Sequence, residues 1–184
     1  MDKSSQDNIK EPTHYTYAKP FIECRDARAL FNLHYFSDTI KYVWRAPHKD
    51  NLKKDLKKAD QCLSMALEHL ENFPEVVLPV NAHKKRRVMV VAMTIGNAGD
   101  VFEAWQEDIF QEMLVIAISD DAEEIKEIIG RIKCVIYLVL NLQEKKETAD
   151  HDLNKHLERC SEITKDLPIS KRTLPGGNST INLT

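Results

Sequence analysis

The sequence predicts a mainly α-helical, bundle-like protein, with a small N-terminal helical unit followed by a half built from longer helices. Three observations predict it. Leu52, Leu56, Ala59, Leu63, Ala66, Leu67 and Leu70 recur at steps of three and four, which marks one buried stripe of an amphipathic helix. Ile125, Ile128, Ile129, Ile132, Val135, Ile136 and Val139 repeat the pattern with a wider stripe. Between such stretches stand breakers: Pro47, the pair Pro74 and Pro79, and Gly96 with Gly99.

Each element follows in chain order. Residues 1–13 are polar, lack an apolar period and read as disordered. A short helix is expected over 24–34. A second runs from Ser37, read as its N-cap, to Arg45. Ala46-Pro47-His48-Lys49-Asp50 breaks it, and a third begins near Asp50 or Asn51 and continues to about Asn72. With two prolines so close, 74–82 cannot be helical throughout. It reads as a linker between an N-terminal unit, 14–73, and a helical C-terminal half, 83–167. Residues 84–117 form one long helix or two joined near Gly96 and Gly99, although Val88 to Ile95 is apolar all round and also fits a buried strand. Ser119-Asp120-Asp121 followed by Glu123 and Glu124 is a helix start, with a cap residue and then acids on the positive end of the helix dipole. A last helix is expected over 150–166. Residues 168–184, with Pro168, Pro175 and Gly176-Gly177, read as a flexible tail.

Bulk properties narrow the function. The chain has 184 residues, 42% hydrophobic and 30% charged, which is enough apolar material for a core in one domain or one and a half. A formal charge of −3 gives no global attraction to nucleic acid or acidic membranes, so anion affinity must be local. Cys24, Cys62, Cys134 and Cys160 are far apart and form neither a zinc knuckle nor a redox dithiol. The polar start carries no secretory signal, and the densest apolar run, Ile132 to Leu142, is too short to span a bilayer. A cytoplasmic setting with reduced thiols is expected. The five glycines cannot form GxxxxGK[ST], so the phosphate-cradling loop of ordinary nucleotide kinases is excluded.

The cations of the second and third helices carry the functional reading. Asp38, Lys41 and Arg45 share a face at i, i+3 and i+7, with Tyr42 beside them. Lys49 follows in the loop, and Asp55 and Lys58 flank the apolar stripe of the third helix. An arginine fork binds phosphate oxygens bidentately and a lysine supplies a mobile charge. Two helices packed through their apolar stripes would gather these groups, whereas Lys53, Lys54 and Lys57 fit a solvated outer face.

His14-Tyr15, Ile22-Glu23, Lys41-Tyr42-Val43-Trp44-Arg45-Ala46, Lys49 and Asp55-Leu56-Lys57-Lys58-Ala59 together resemble the SaV-like domain of unknown function of tailed phages. That family includes the podophage-type nucleotide kinase. The resemblance covers about a quarter of the chain. Ser37-Asp38 stands where the family has Gly-Asn, and Cys62 where it has an aromatic. The resemblance implies a phosphotransferase of the host cytoplasm that converts deoxynucleoside monophosphates, dTMP and dGMP, to diphosphates. The donor is a nucleoside triphosphate, ATP or a dNTP, and no metal requirement is specified. It further implies Lys41, Arg45 and Lys58 as phosphate ligands, with Lys41, Arg45 and Asp55 at the chemistry. Asp55 would orient Lys58 or accept a proton. Lys49 would be a mobile lid cation. His14, Tyr15 and Tyr42 would border the nucleotide.

Other patterns compete. Asp100, Glu103 and Glu107 line one helical face and suit either solvent or a hard cation. Glu124-x-x-Glu127 with Glu147-x-x-Asp150 fits the acidic spacing of all-α, magnesium-dependent nucleotide pyrophosphohydrolases, and a non-catalytic phage protein that binds a host factor is a third reading. Lys84-Lys85-Arg86-Arg87 has no interleaved aromatic, so a nucleic-acid partner is not expected. His83, His151 and His156 lack metal-ligand spacing, no metal ligands are assigned, and Trp44 and Trp105 fit core or interface anchors. The apolar faces at 109–118 and 132–142 suit a homo-oligomer.

Overall fold

Helices account for most of the described residues, which are 13–18, 22–48, 51–77 and 79–165 of a computed structural model. They are α1 (Thr13–Thr16), α2 (Cys24–Arg28), α3 (His34–Arg45), α4 (Leu52–Asn72), α5 (Ala82–Gly96), α6 (Ala104–Ile118) and α7 (Ala122–Lys165). No strand forms among these residues, and no helix among them is long and apolar enough to cross a membrane. The mainly α-helical expectation therefore holds. Lys49, the segment 168–184 and all of 1–13 but Thr13 lie outside the described residues.

Contacts divide the chain after Asn141 into two units, Met1–Asn141 and Leu142–Thr184. In the second, residues 142–165 are helical, with Leu153 and Leu157 exposed.

Several boundaries differ from the sequence reading, each for a local reason. The first helix stops at Arg28, and α3 starts at His34 behind an extended Leu33. Ser37 is thus inside α3 and does not cap it. Its hydroxyl and carbonyl instead accept from Arg28 Nε, both at 3.2 Å. Val88 to Ile95 is helical within α5. The helix expected over 150–166 is the continuation of α7, because 141–150 holds no proline or glycine to end it.

Other ends follow the chemistry of their residues. Asn51 Oδ1 accepts from Lys54 N at 2.8 Å and caps α4. Asn81 does the same for α5 through Lys84 N at 2.9 Å. Glu103 and Gln106 form a reciprocal capping box on α6. Asp121 Oδ1 accepts from Glu123 N at 2.8 Å at the start of α7. Gly99, between α5 and α6, takes φ 59°, which an L side chain rarely adopts.

The core of the first unit lies where α3, α4, α6 and the opening of α7 meet. Trp44, Leu56, Leu63, Leu70, Ile109, Met113, Ile128, Ile129 and Ile132 are fully buried. Trp44, Phe102 and Phe110 pack as an aromatic trio with centroids 5.0 to 5.6 Å apart. Pro47 has no N–H to return to Val43 O, so the end of α3 carries an orphan carbonyl. The buried Gln106 supplies the missing donor. Its Nε2 donates to Val43 O at 2.9 Å and reaches Trp44 O at 3.3 Å, and Tyr17 Oη donates to Trp44 O at 2.8 Å. Lys133 of α7 ties in α4 by donating to Asp60 Oδ1 at 2.6 Å and Ser64 Oγ at 2.7 Å.

Candidate functional site

The stripes of α3 and α4 pack together, with Ile40, Val43 and Trp44 on one side and Leu56, Ala59 and Leu63 on the other. That packing fixes what stands at the seam. Arg45, in the last turn of α3, donates Nε to Asp55 Oδ2 at 2.6 Å and Nη2 to Asp55 Oδ1 at 2.7 Å. This is a two-pronged pair with side chains only 9% and 4% exposed. Arg45 Nη1 also donates to Tyr15 Oη at 3.1 Å. The Asp55 carboxylate holds the guanidinium above its ordinary range, against an opposing effect of burial.

Tyr42 is the meeting point of the remaining cations. Lys41 Nζ and Lys58 Nζ each lie 5.5 Å from its ring centroid, and Arg45 Cζ lies 4.8 Å away. One part-exposed ring therefore carries three cations from two helices. Burial, then the nearby Asp38 carboxylate, raises the phenol above its ordinary range. Arg45 is neutralised by Asp55. Lys41 and Lys58 have no acid partner among the described residues, so they carry the local positive charge. Lys58 also lines an open depression on the α4 surface with Asn51, Lys53, Lys54, Lys57 and Gln61.

The structure thus brings together Lys41, Tyr42, Arg45, Asp55, Lys58 and Tyr15. His14 sits beside Tyr15, with ring centroids 4.3 Å apart. Asp55 is bound to Arg45 and does not orient Lys58. Asp38 accepts from Arg28 Nη2 at 3.3 Å, so its charge is partly answered from α2 and not by Lys41. Arg28, Gln106 and Tyr17 escaped the sequence reading. Only Gln106 left a signal, as the N3 partner of Glu103 in a capping box.

Glu103 caps α6, and Glu124 accepts from Ser119 Oγ at 2.5 Å. Glu147 and Asp150 lie in the second unit. No three His, Cys, Asp or Glu side chains among the described residues gather as a metal site. The basic run opens α5, where Lys85, Arg86 and Arg87 are exposed or nearly so and Lys84 is half-buried.

Residues 9–64 match the model of a family described as a protein of unknown function, DUF3310. The match ends two residues after Cys62 and contains every gathered cation named above. No curated protein and no solved structure matches the chain.

Proposed function

We propose that the protein binds nucleotides by their phosphates at Lys41 and Lys58, and that it is a phage-type nucleoside monophosphate kinase of the host cytoplasm. The observation that supports this most is the pair of lysine ammoniums, uncompensated among the described residues, that converge on the Tyr42 ring at 5.5 Å each. Phosphoryl transfer requires mainly positioning and charge stabilisation. On this reading a phosphate oxygen of dTMP or dGMP attacks the γ-phosphorus of a nucleoside triphosphate. The bond from that phosphorus to the β–γ bridging oxygen breaks, leaving two diphosphates. Lys41 and Lys58 hold the anionic oxygens, and Tyr42 fixes the two ammoniums. Arg45 and Asp55 lock the helices that present them. Tyr15 orders the guanidinium, and His14 borders the pocket. Exposed Tyr137 and Leu138 on α7, with Met89 and Met93 on α5, favour self-association as part of the same proposal.

The test incubates the pure protein with ATP and each deoxynucleoside monophosphate, with and without magnesium, and resolves the products. Diphosphate formation is expected. Lys41→Ala and Lys58→Ala should each reduce it at least about tenfold, since a charge-assisted hydrogen bond contributes roughly 1.5–3 kcal/mol. Monophosphate plus pyrophosphate from a triphosphate would replace the kinase reading with hydrolysis. No turnover and no nucleotide binding would end both.

A further inference from the structure

A second cation occupies very different surroundings. A cavity of about 50 Å³ opens where the ends of several elements meet, walled by Phe31, Phe36, Leu70, Val77 and Ile116. Lys84, in the first turn of α5, is the sole charged residue lining it among the described residues. No hydrogen bond or ion pair of its ammonium occurs among the described residues. No carboxylate of the described residues lines the wall, and the hydroxyl of Ser119, which does, is already shared with Glu124 at 2.5 Å and Asp121 N at 3.1 Å. Among the described residues, Asn32 adds the one other polar side chain. Burial alone lowers the Lys84 amine below its ordinary range, and the positive end of the helix dipole adds no compensation. A lysine on an apolar wall usually reaches out to water; this one stays half-buried beside an apolar hollow.

We propose that this cavity binds a small monocarboxylate with a short aliphatic body. One ammonium matches one carboxylate, and the ring and branched walls match a short alkyl chain. Phosphate fits poorly, because a compact anion with several oxygens needs more donors than one lysine and one amide supply. A water needs about 10–15 Å³ of such volume. The cavity therefore takes roughly three to five non-hydrogen atoms, the size of acetate or propionate. The site is separate from the Tyr42 cations and independent of the kinase reading.

Propionate, its neutral isostere propionamide and inorganic phosphate are titrated into the full-length protein by calorimetry and amide NMR. Propionate should bind saturably with shifts at residues around Phe36, Lys84 and Ile116. Propionamide, phosphate and propionate on Lys84→Met should each be at least about tenfold weaker. Lysine labelling by trinitrobenzenesulfonate, read by peptide mass spectrometry, gives a wild-type measurement. Lys84 should react faster than the exposed lysines, and propionate should slow Lys84 alone. Equal binding of propionamide, unchanged propionate affinity in Lys84→Met, or no protection of Lys84 would each overturn the proposal. Nucleotide binding unaltered by Lys84→Met would separate this site from the first.

Discussion

Replacing Asp55 is the sharpest probe of how the α3–α4 seam is held. Asp55→Asn removes the charge that answers Arg45 but keeps nearly the same volume. The guanidinium then remains in a position where the residue is 7% exposed, with Tyr15 Oη as its other partner at 3.1 Å. Breaking one side of a buried pair costs about 3–5 kcal/mol, because a charge is stranded away from water. For a chain of 184 residues that corresponds to a fall in Tm of roughly 6–20 °C. It is also about a fifth or more of the stability of an ordinary domain. Urea unfolding followed by far-ultraviolet circular dichroism measures it. Arg45→Met combined with Asp55→Leu should recover most of the loss, since apolar replacement of a whole buried pair is often neutral. The cycle should therefore show a coupling above about 2 kcal/mol. An Asp55→Asn loss below about 1 kcal/mol would refute the reasoning, because the pair would then be no better desolvated than a surface bridge. On the proposed function, the stable double variant should still bind nucleotide through its lysines.

Three further outcomes are expected. Gln106→Leu strands Val43 O, which Pro47 cannot serve, so it should cost about 1–3 kcal/mol in urea unfolding. Asn51→Ala removes the 2.8 Å cap on Lys54 N. It should lower stability by about 1 kcal/mol, with faster amide exchange confined to the first turn of α4. His48 packs on Tyr17 with centroids 3.7 Å apart, and burial lowers its imidazole below the usual 6.5. The unfolded chain then binds a proton that the folded chain resists, so stability is flat above pH 6.5 and falls as pH drops through it. His48→Gln should flatten part of that slope in urea midpoints measured from about pH 7 to pH 5.

The helical stripes were legible because their period is the physical cause of burial. Leu56, Ala59, Leu63, Ala66 and Leu70 were named from spacing alone and all are buried. The start of α4 was legible to within a residue, near Asp50 or Asn51, and Gly96 and Gly99 were legible as a break. The start of α3 was not, because Ser37 has the chemistry of a cap and nothing local reveals that Arg28 takes its oxygens. Nor did spacing indicate that 141–150, a run of good helix formers, would join two expected helices. At the site, the sequence put Lys41, Tyr42, Arg45, Asp55 and Lys58 together, since the packing of two apolar stripes determines which flanking residues meet. It could not apportion them. Which carboxylate Arg45 takes depends on where α4 sits along α3, a tertiary property that no window of residues contains.

That apportionment decides where an anion can be held. Had Asp55 paired with Lys58, Arg45 would be the free cation, and its planar fork would favour two-pronged binding of a phosphate. With Arg45 bound to Asp55, the available charges are two ammoniums, each a mobile point charge with three donors. Each is 5.5 Å from one ring centroid, so their separation is at most twice that distance. Their mutual repulsion is then at least about 0.4 kcal/mol in a water-like medium and about 1.5 kcal/mol at an effective dielectric of 20. The Tyr42 face offsets this by roughly 0.5–1 kcal/mol per cation at an exposed site. The ring can therefore hold the two lysines near each other without an acid between them. An acid there would neutralise the pair and leave nothing for a ligand. A phosphate bridging both would remove the repulsion and add charge-assisted hydrogen bonds. For that reason we place the proposed nucleotide contact at Lys41 and Lys58 and give Arg45 the task of keeping their helices in register.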